Sequence, residues 1–255
     1  MRVVWIIALN TFREIIRDRI LYGLVVFALL LIGLSLALGQ LSFAEQIRIS
    51  ANFGFTGIHL SAVMLSIFAG GSLVAKEIDK KTILTLLARP ISRFQFMLGK
   101  SLGLTLVVVS VVTGLALVLA FILMNMGFKL NEGFFLGLFG IILEAIVLLG
   151  MALFFSTFSR PIMVASFVLG MFLIGHWLNS LEYFSNKSES GVFKGVGSAI
   201  VAVFPNLETF NWRSLAVYGE TLEWSVVGTA VVYAFVWYNL LLLAAALVIR
   251  KKDFG

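Results

Sequence analysis

Four features of this sequence carry side chains able to do chemistry: Glu144, the histidines His59 and His176, and the triplet Gly99-Lys100-Ser101. The histidines could serve hydrolysis or hold a metal. They sit in different apolar stretches, however, and nothing matches the HExxH spacing that sets two imidazoles on one helix face. Each reads as an interfacial polar side chain, and no metal site is expected. The triplet resembles the end of a phosphate-binding loop, which needs another glycine five residues before Gly99 so that the backbone can wrap phosphate. That position is Phe94, and no strand precedes it. Lys100 therefore reads as a boundary residue opening an apolar helix, and the chain is expected to bind no nucleotide. With no cysteine, disulfides, thiolate metal sites and cysteine nucleophiles are excluded. No catalytic residue is expected.

Glu144 demands an account because it is the only charged side chain in any of the long apolar stretches. A carboxylate near the middle of a bilayer costs roughly 2.5–3.5 kcal/mol on insertion scales and is usually paired or functional. Gly133, Gly137 and Gly140 share its side of the helix, so close contact along a small-residue face would bury it in a bundle or dimer seam. Structural pairing, lining of a substrate path and proton coupling are the three roles open to it. Proton coupling normally needs more ionisable partners than the stretches offer.

The elements that must position these residues are six apolar stretches: Ile20 to Ala44, Ile49 to Ala75, Ser101 to Phe128, Gly133 to Ser159, Pro161 to Leu181 and Trp224 to Ile249. Each exceeds the ~18 apolar residues that mark a spanning helix. A chain that is 60% hydrophobic and 13% charged, with mean hydropathy +1.05, lacks the polar cover of a soluble domain. Lipid offers nothing to backbone N–H and C=O groups, so each span must satisfy its own, and an all-α polytopic membrane protein is predicted. The first span reads as a retained anchor rather than a cleaved leader, because a charged region precedes it and it is long enough to cross.

Of the 19 Lys and Arg, five (Arg48, Lys129, Lys187, Lys194 and Arg213) fall on one side of the six crossings and the other fourteen on the side of the termini. The positive-inside rule then puts both termini in the cytosol. The net charge of +6 reads as attraction to anionic lipid headgroups, about 1 kcal/mol per well-placed basic residue, and not as a nucleic-acid footprint.

Three connecting segments stand out. Residues 1–19 form an amphipathic helix, with Val4, Trp5, Ala8, Leu9, Phe12, Ile15 and Ile16 on one face and Asn10, Arg13, Glu14, Arg17 and Asp18 opposite. Val3, Ile6, Ile7 and Arg19 break the pattern. Residues 76–92 mix Ile78, Ile83, Leu84, Leu86 and Leu87 with Glu77, Asp79, Lys80 and Lys81 and predict a short helix ending before Pro90. The chain restarts at Ser92, which has capping-box spacing to Gln95. Such a stiff charged knob between two spans suits transmission of force from a soluble partner. Residues 182–223 predict a partly helical external lid, in which the apolar run Val192 to Phe204 is too short to span.

These residues carry a resemblance over nearly the whole length to the permease subunits of type-2 ABC transporters, the exporter-like group with six spans. It rests on Asn10-Thr11-Phe12-Arg13-Glu14 with Arg17-Asp18-Arg19, on Lys76 to Thr82 leading to Leu86-Leu87-Ala88-Arg89-Pro90-Ile91-Ser92-Arg93, and on Gly99-Lys100. Phe204-Pro205-Asn206-Leu207-Glu208-Thr209-Phe210-Asn211 and the closing Arg250-Lys251-Lys252-Asp253-Phe254 look like the branch that includes copper-enzyme-maturation and gliding-motility permeases.

The resemblance implies a single permease domain in the cytoplasmic membrane of a bacterium or archaeon. Two permeases, identical or related, would meet two separate ATP-binding subunits, which hold the ATP and Mg while this chain binds no cofactor. Glu77, Ile78, Asp79, Lys80, Lys81, Thr82, Leu86 and Leu87 would form the coupling helix that docks on the ATPase, and Arg13, Glu14 and Arg17 would belong to the elbow helix beside it. A gradient-driven transporter or channel would instead show broken helices in symmetric repeats, which Gly and Pro placement does not indicate. An intramembrane enzyme or scaffold would need paired polar groups in the spans, and Glu144 looks alone.

Overall fold

The computed structural model describes residues 2–40, 45–79 and 92–251, with the backbone alone at 74, 76–79 and 251. Its elements are α1 (Arg2–Ile16), α2 (Arg19–Gly39), α3 (Gln46–Asp79), α4 (Arg93–Asn125), α5 (Glu132–Ser156), α6 (Pro161–Lys187), α7 (Gly191–Val203), a 3-10 turn (Glu208–Phe210), α8 (Arg213–Tyr218) and α9 (Trp224–Lys251). All are helical, and α2, α3, α4, α5, α6 and α9 are long and apolar enough to cross a membrane. The expected all-α architecture with six spans is therefore present.

Local chemistry sets the helix starts. Asp18 caps α2 by accepting from the Ile20 amide at 2.9 Å, and Asn131 caps α5 through the Phe134 amide at 2.9 Å. At α4 the predicted capping box forms in full. Ser92 Oγ accepts from Gln95 N and Gln95 Oε1 from Ser92 N, both at 3.1 Å. Pro161 opens α6 at a position where its missing N–H costs nothing.

Helices α3 and α5 form the centre of the bundle, and α2, α6 and α9 present most of their surface outward. One apolar core gathers Phe55, Leu104, Leu119 and Leu149. A second gathers Val147, Val168, Phe210, Trp212 and Ala234 on the other flank of α5.

At one end of the bundle, α1 lies along α4. A Cβ at Gly99 would come within 2.7 Å of Ile7 Cβ, and one at Gly103 within 2.5 Å of the Ala8 carbonyl oxygen, so two glycines one helical turn apart let the helices touch backbone to backbone. The stripe facing α4 is Val4, Ile7, Ala8 and Thr11. One sequence expectation for this face is corrected: Ile7, set apart from it in the sequence reading, belongs to the packed stripe, while Trp5 and Ile16 face the surroundings, because α1 shares its broad apolar face between protein and surroundings. Arg13, Glu14 and Arg17 are exposed as expected, and Glu14 reaches the buried Lys100 ammonium at 3.6 Å.

Arg93 ties in the last span, its guanidinium donating to the carbonyls of Ile249 and Arg250 at the C-terminal end of α9. The starts of α1 and α4 and the end of α9 thus share one end of the bundle, as six crossings require.

The packing predicts that Gly103→Leu lowers the thermal stability of the detergent-purified protein by about 1–3 kcal/mol, the usual cost of overpacking. Gly114→Ala, where nothing lies within 4 Å of the added carbon, leaves it unchanged or slightly raised in the same melting experiment.

Candidate functional site

Glu144 is only 2% exposed, and it is not alone. The His59 Nε2 atom lies 3.0 and 2.9 Å from its two carboxylate oxygens, and His176 Nε2 lies 3.5 Å from Oε1. The three residues come from three central or neighbouring spans, α3, α5 and α6. Taking ~1.5 Å per residue, His59 and Glu144 each sit about 18–20 Å along their helices from Gln46 and Glu132, close to the middle of a hydrocarbon layer about 30 Å thick. Neither histidine is interfacial. Both expectations, of interfacial histidines and of a solitary carboxylate, are overturned for one physical reason: an imidazole or carboxylate inside lipid must find polar partners, and across three spans the nearest partners are one another.

A fourth group arrives from the connection between α6 and α9. Arg213, at the start of α8, places NH1 3.0 Å from His59 Nδ1. A guanidinium can only donate, so Nδ1 accepts and the ring proton of neutral His59 resides on Nε2, from which it is shared between both Glu144 oxygens. Arg213 Nε also donates to Asn211 Oδ1 at 2.9 Å, and Asn211 Nδ2 to Glu208 Oε1 at 2.8 Å. An unbroken polar chain therefore runs Glu208, Asn211, Arg213, His59, Glu144.

The glycine face of α5 explains how this connection reaches so deep. A Cβ at Gly133 would lie 2.5 Å from the Leu215 carbonyl oxygen, one at Gly137 3.4 Å from that of Trp212, and one at Gly140 2.3 Å from that of Phe210. Descending α5, the connection is followed backward from α8 to the 3-10 turn with its main chain laid on the helix. The next residues go further still: Leu207 N donates to Gly175 O at 3.1 Å, and Asn206 N to the Tyr233 hydroxyl at 2.7 Å. The small-residue face does make the expected close contact, and it does so within this chain. The external segment is accordingly more than a lid. Helix α7 covers the end of α6, where Gly197 sits against Ser185, and residues 205–215 re-enter the bundle.

His176 completes the cluster. Its Nδ1 lies 3.1 Å from the Phe172 carbonyl and donates to it, its ring lies tilted against that of Phe172 with centroids 4.6 Å apart, and its buried Nε2 has no hydrogen-bond partner. The ligand atoms of His59, Glu144 and His176 lie within 4.8 Å of one another, close enough in number and spacing to raise the question of a metal ion. A metal-bound imidazole donates its other N–H to an acceptor. His176 is set in that way and His59 is the reverse, with a cation on its Nδ1 and a proton facing the carboxylate. As arranged, the cluster offers the Glu144 carboxylate but only one of its two imidazole lone pairs, that of His176, and it is better suited to holding protons.

The other expected site residues fall elsewhere. Glu77, Ile78 and Asp79 lie on the last turn of α3, which runs on past the expected end of the second span at Ala75, and Lys80, Lys81, Thr82, Leu86 and Leu87 lie outside the described residues. Lys100, expected to open this helix, sits two turns inside α4 and is buried. An apolar recess of about 680 Å³ opens between α6 and α7, and its lining side chains, such as Trp177, Phe184 and Phe193, include one hydroxyl, that of Ser180.

A family model described as ABC-2 family transporter protein matches residues 15–176, a stretch that ends at His176 and includes all three clustered residues. A comparison with curated proteins finds no match.

The geometry predicts that Arg213→Ala and Glu144→Ala each destabilise the protein by ~1–3 kcal/mol, since each leaves a buried His59 nitrogen unsatisfied. Because both act on His59, the double variant should lose less than the sum, a non-additivity that denaturation of the four proteins would measure.

Proposed function

This chain belongs to the ABC-2 family of transporter proteins, and from that premise we propose that it is the membrane-spanning subunit of an ATP-driven export system. A separate ATP-binding subunit supplies the work. ATP and Mg bind on that partner, and this chain acts mechanically. A second permease, identical or related, completes the pathway, with both termini in the cytosol and the spans set in the lipid of a bacterial or archaeal cytoplasmic membrane. The motifs at Phe204 to Asn211 and Arg250 to Phe254 support the branch of copper-enzyme-maturation and gliding-motility permeases, and they lie beyond the matched residues 15–176.

The observation that carries the reading is the construction of the bundle end that holds both termini. Helix α3 continues as one rigid rod to Asp79, and α4 begins at a full capping box at Ser92. Helix α1 is clamped on α4 by Gly99, Gly103 and the Glu14–Lys100 pair, and Arg93 holds the end of α9. A segment suspended between two such rods cannot yield at either root, so a push on it moves spans instead of bending a loop. In this reading Glu77, Ile78, Asp79, Lys80, Lys81, Thr82, Leu86 and Leu87 form the surface that receives the push. Arg13, Glu14 and Arg17 flank it on α1.

Co-expression with the ATP-binding subunit tests this directly. Alanine at Glu77 or Leu87 should abolish co-purification of the ATPase while leaving the yield and melting of the permease unchanged. An ATPase that stays firmly bound to both variants would remove the docking site. Because the chain has no cysteine, single cysteines at Ser92 and Ser188 give a clean test of sidedness. An impermeant thiol reagent outside the cell should modify only the second.

A further inference from the structure

The Glu144–His176 contact is not used by the export mechanism just described, and it is the one place in the cluster where two acceptors face each other. Neutral His176 donates from Nδ1 to Phe172 O, so its Nε2 carries a lone pair, and 3.5 Å away stands Glu144 Oε1. Both atoms are buried, and His176 Nε2 is without a hydrogen-bond partner. Two acceptors in a low-dielectric interior repel each other, and a single positive charge between them reverses the sign of the interaction.

A proton and a metal ion could each supply that charge, and the surroundings decide between them. Among the described residues, the ionisable groups joined to the pair are His59 from α3 and Arg213 and Glu208 from the re-entrant segment, with the Tyr233 hydroxyl of α9 bonded to that segment at Asn206. With both carboxylates ionised, Glu144 and Glu208 set two negative charges against the one positive charge of Arg213, leaving a single negative charge. One proton makes the cluster neutral. A divalent ion leaves it positive and requires His59 to surrender the Nε2 proton that Arg213 fixes there.

We propose that Glu144 and His176 together form a proton-binding site, and that taking up this proton releases the re-entrant segment from the spans. Among the described residues, the segment's charged link to the spans is one line of contacts, Arg213 to His59 to Glu144, beside the hydrogen bonds of Asn206 and Leu207. A proton between Glu144 Oε1 and His176 Nε2 draws the carboxylate toward α6, weakens its bond to His59 and opposes Arg213 with new positive charge. Proton binding and docking of residues 205–215 are then linked: whatever favours one disfavours the other by the same factor. The linkage holds whether or not an ATPase drives the bundle, so loss of the docking site at Glu77 would leave it intact.

The test uses the full chain in lipid nanodiscs with a nitroxide on Ser214→Cys, an exposed position next to Arg213 and the sole cysteine. As the pH is lowered from about 8 to 5, the range over which imidazole chemistry is poised, the label should pass from restricted to mobile in a one-proton transition. His176→Gln and Glu144→Gln should each abolish the transition. Infrared titration of the unmutated protein with isotope-labelled glutamate and histidine gives a readout independent of any variant: a carboxyl or imidazolium band must appear with the same midpoint. A label that ignores pH, a transition that survives both substitutions, or a flat infrared spectrum would overturn the proposal. Zinc chloride that moves the label at constant pH, in a manner lost with His59→Gln, would overturn it too, in favour of a metal site.

Discussion

Hydrocarbon tolerates no unpartnered charge, and in this chain that constraint acts through one carboxylate. Glu144 can exist in the middle of α5 only if a donor reaches it, and polar groups gather round it from three directions. His59 arrives on α3, His176 stands by on α6, and Arg213 supports His59 from a connection that leaves the far end of the bundle and turns back in. Much of the architecture serves this arrangement. The glycine face of α5 brings the re-entrant main chain within reach, and the burial of Phe210 and Trp212 in the second core holds it there.

The two ends of the bundle are built on the same device for opposite purposes. Near the termini, Gly99 and Gly103 seat α1 on α4 so closely that the two helices behave as one body, with Glu14 and Lys100 closing the contact. At the other end, Gly133, Gly137 and Gly140 seat a strip of irregular chain, whose hold depends on a polar line with an acceptor pair at its far end. The first contact is stiffened by side chains packed on a helix. The second runs through side-chain hydrogen bonds, from Arg213 through His59 to Glu144, beneath packed irregular chain.

The spans were legible in the sequence because their signal is local: length, hydropathy and the capping chemistry of Ser92 with Gln95 need no knowledge of neighbours. The thirteen-residue α7 was legible for the same reason. The glycine face of α5 correctly announced a close contact, but glycine spacing does not name what approaches it, and the partner proved to be chain from the same molecule. The histidines were misread because motif spacing compares residues along one element, whereas His59 and His176 meet Glu144 across three. A usable signal did exist. Besides tyrosines, these three are the only acid–base groups in the six stretches, and groups that lipid rejects must gather. Ile7 was missed on α1 because an angular projection cannot tell a face that meets protein from one that meets lipid.

Arg93 is the first residue of α4, immediately after the segment that joins α3 to α4, and its guanidinium grips the final carbonyls of α9. The third and sixth spans therefore have a common hinge pin. Motion entering at that joint is divided between two helices at opposite places in the chain order, with no slack to absorb it, so the last span follows the third like a coupled wheel.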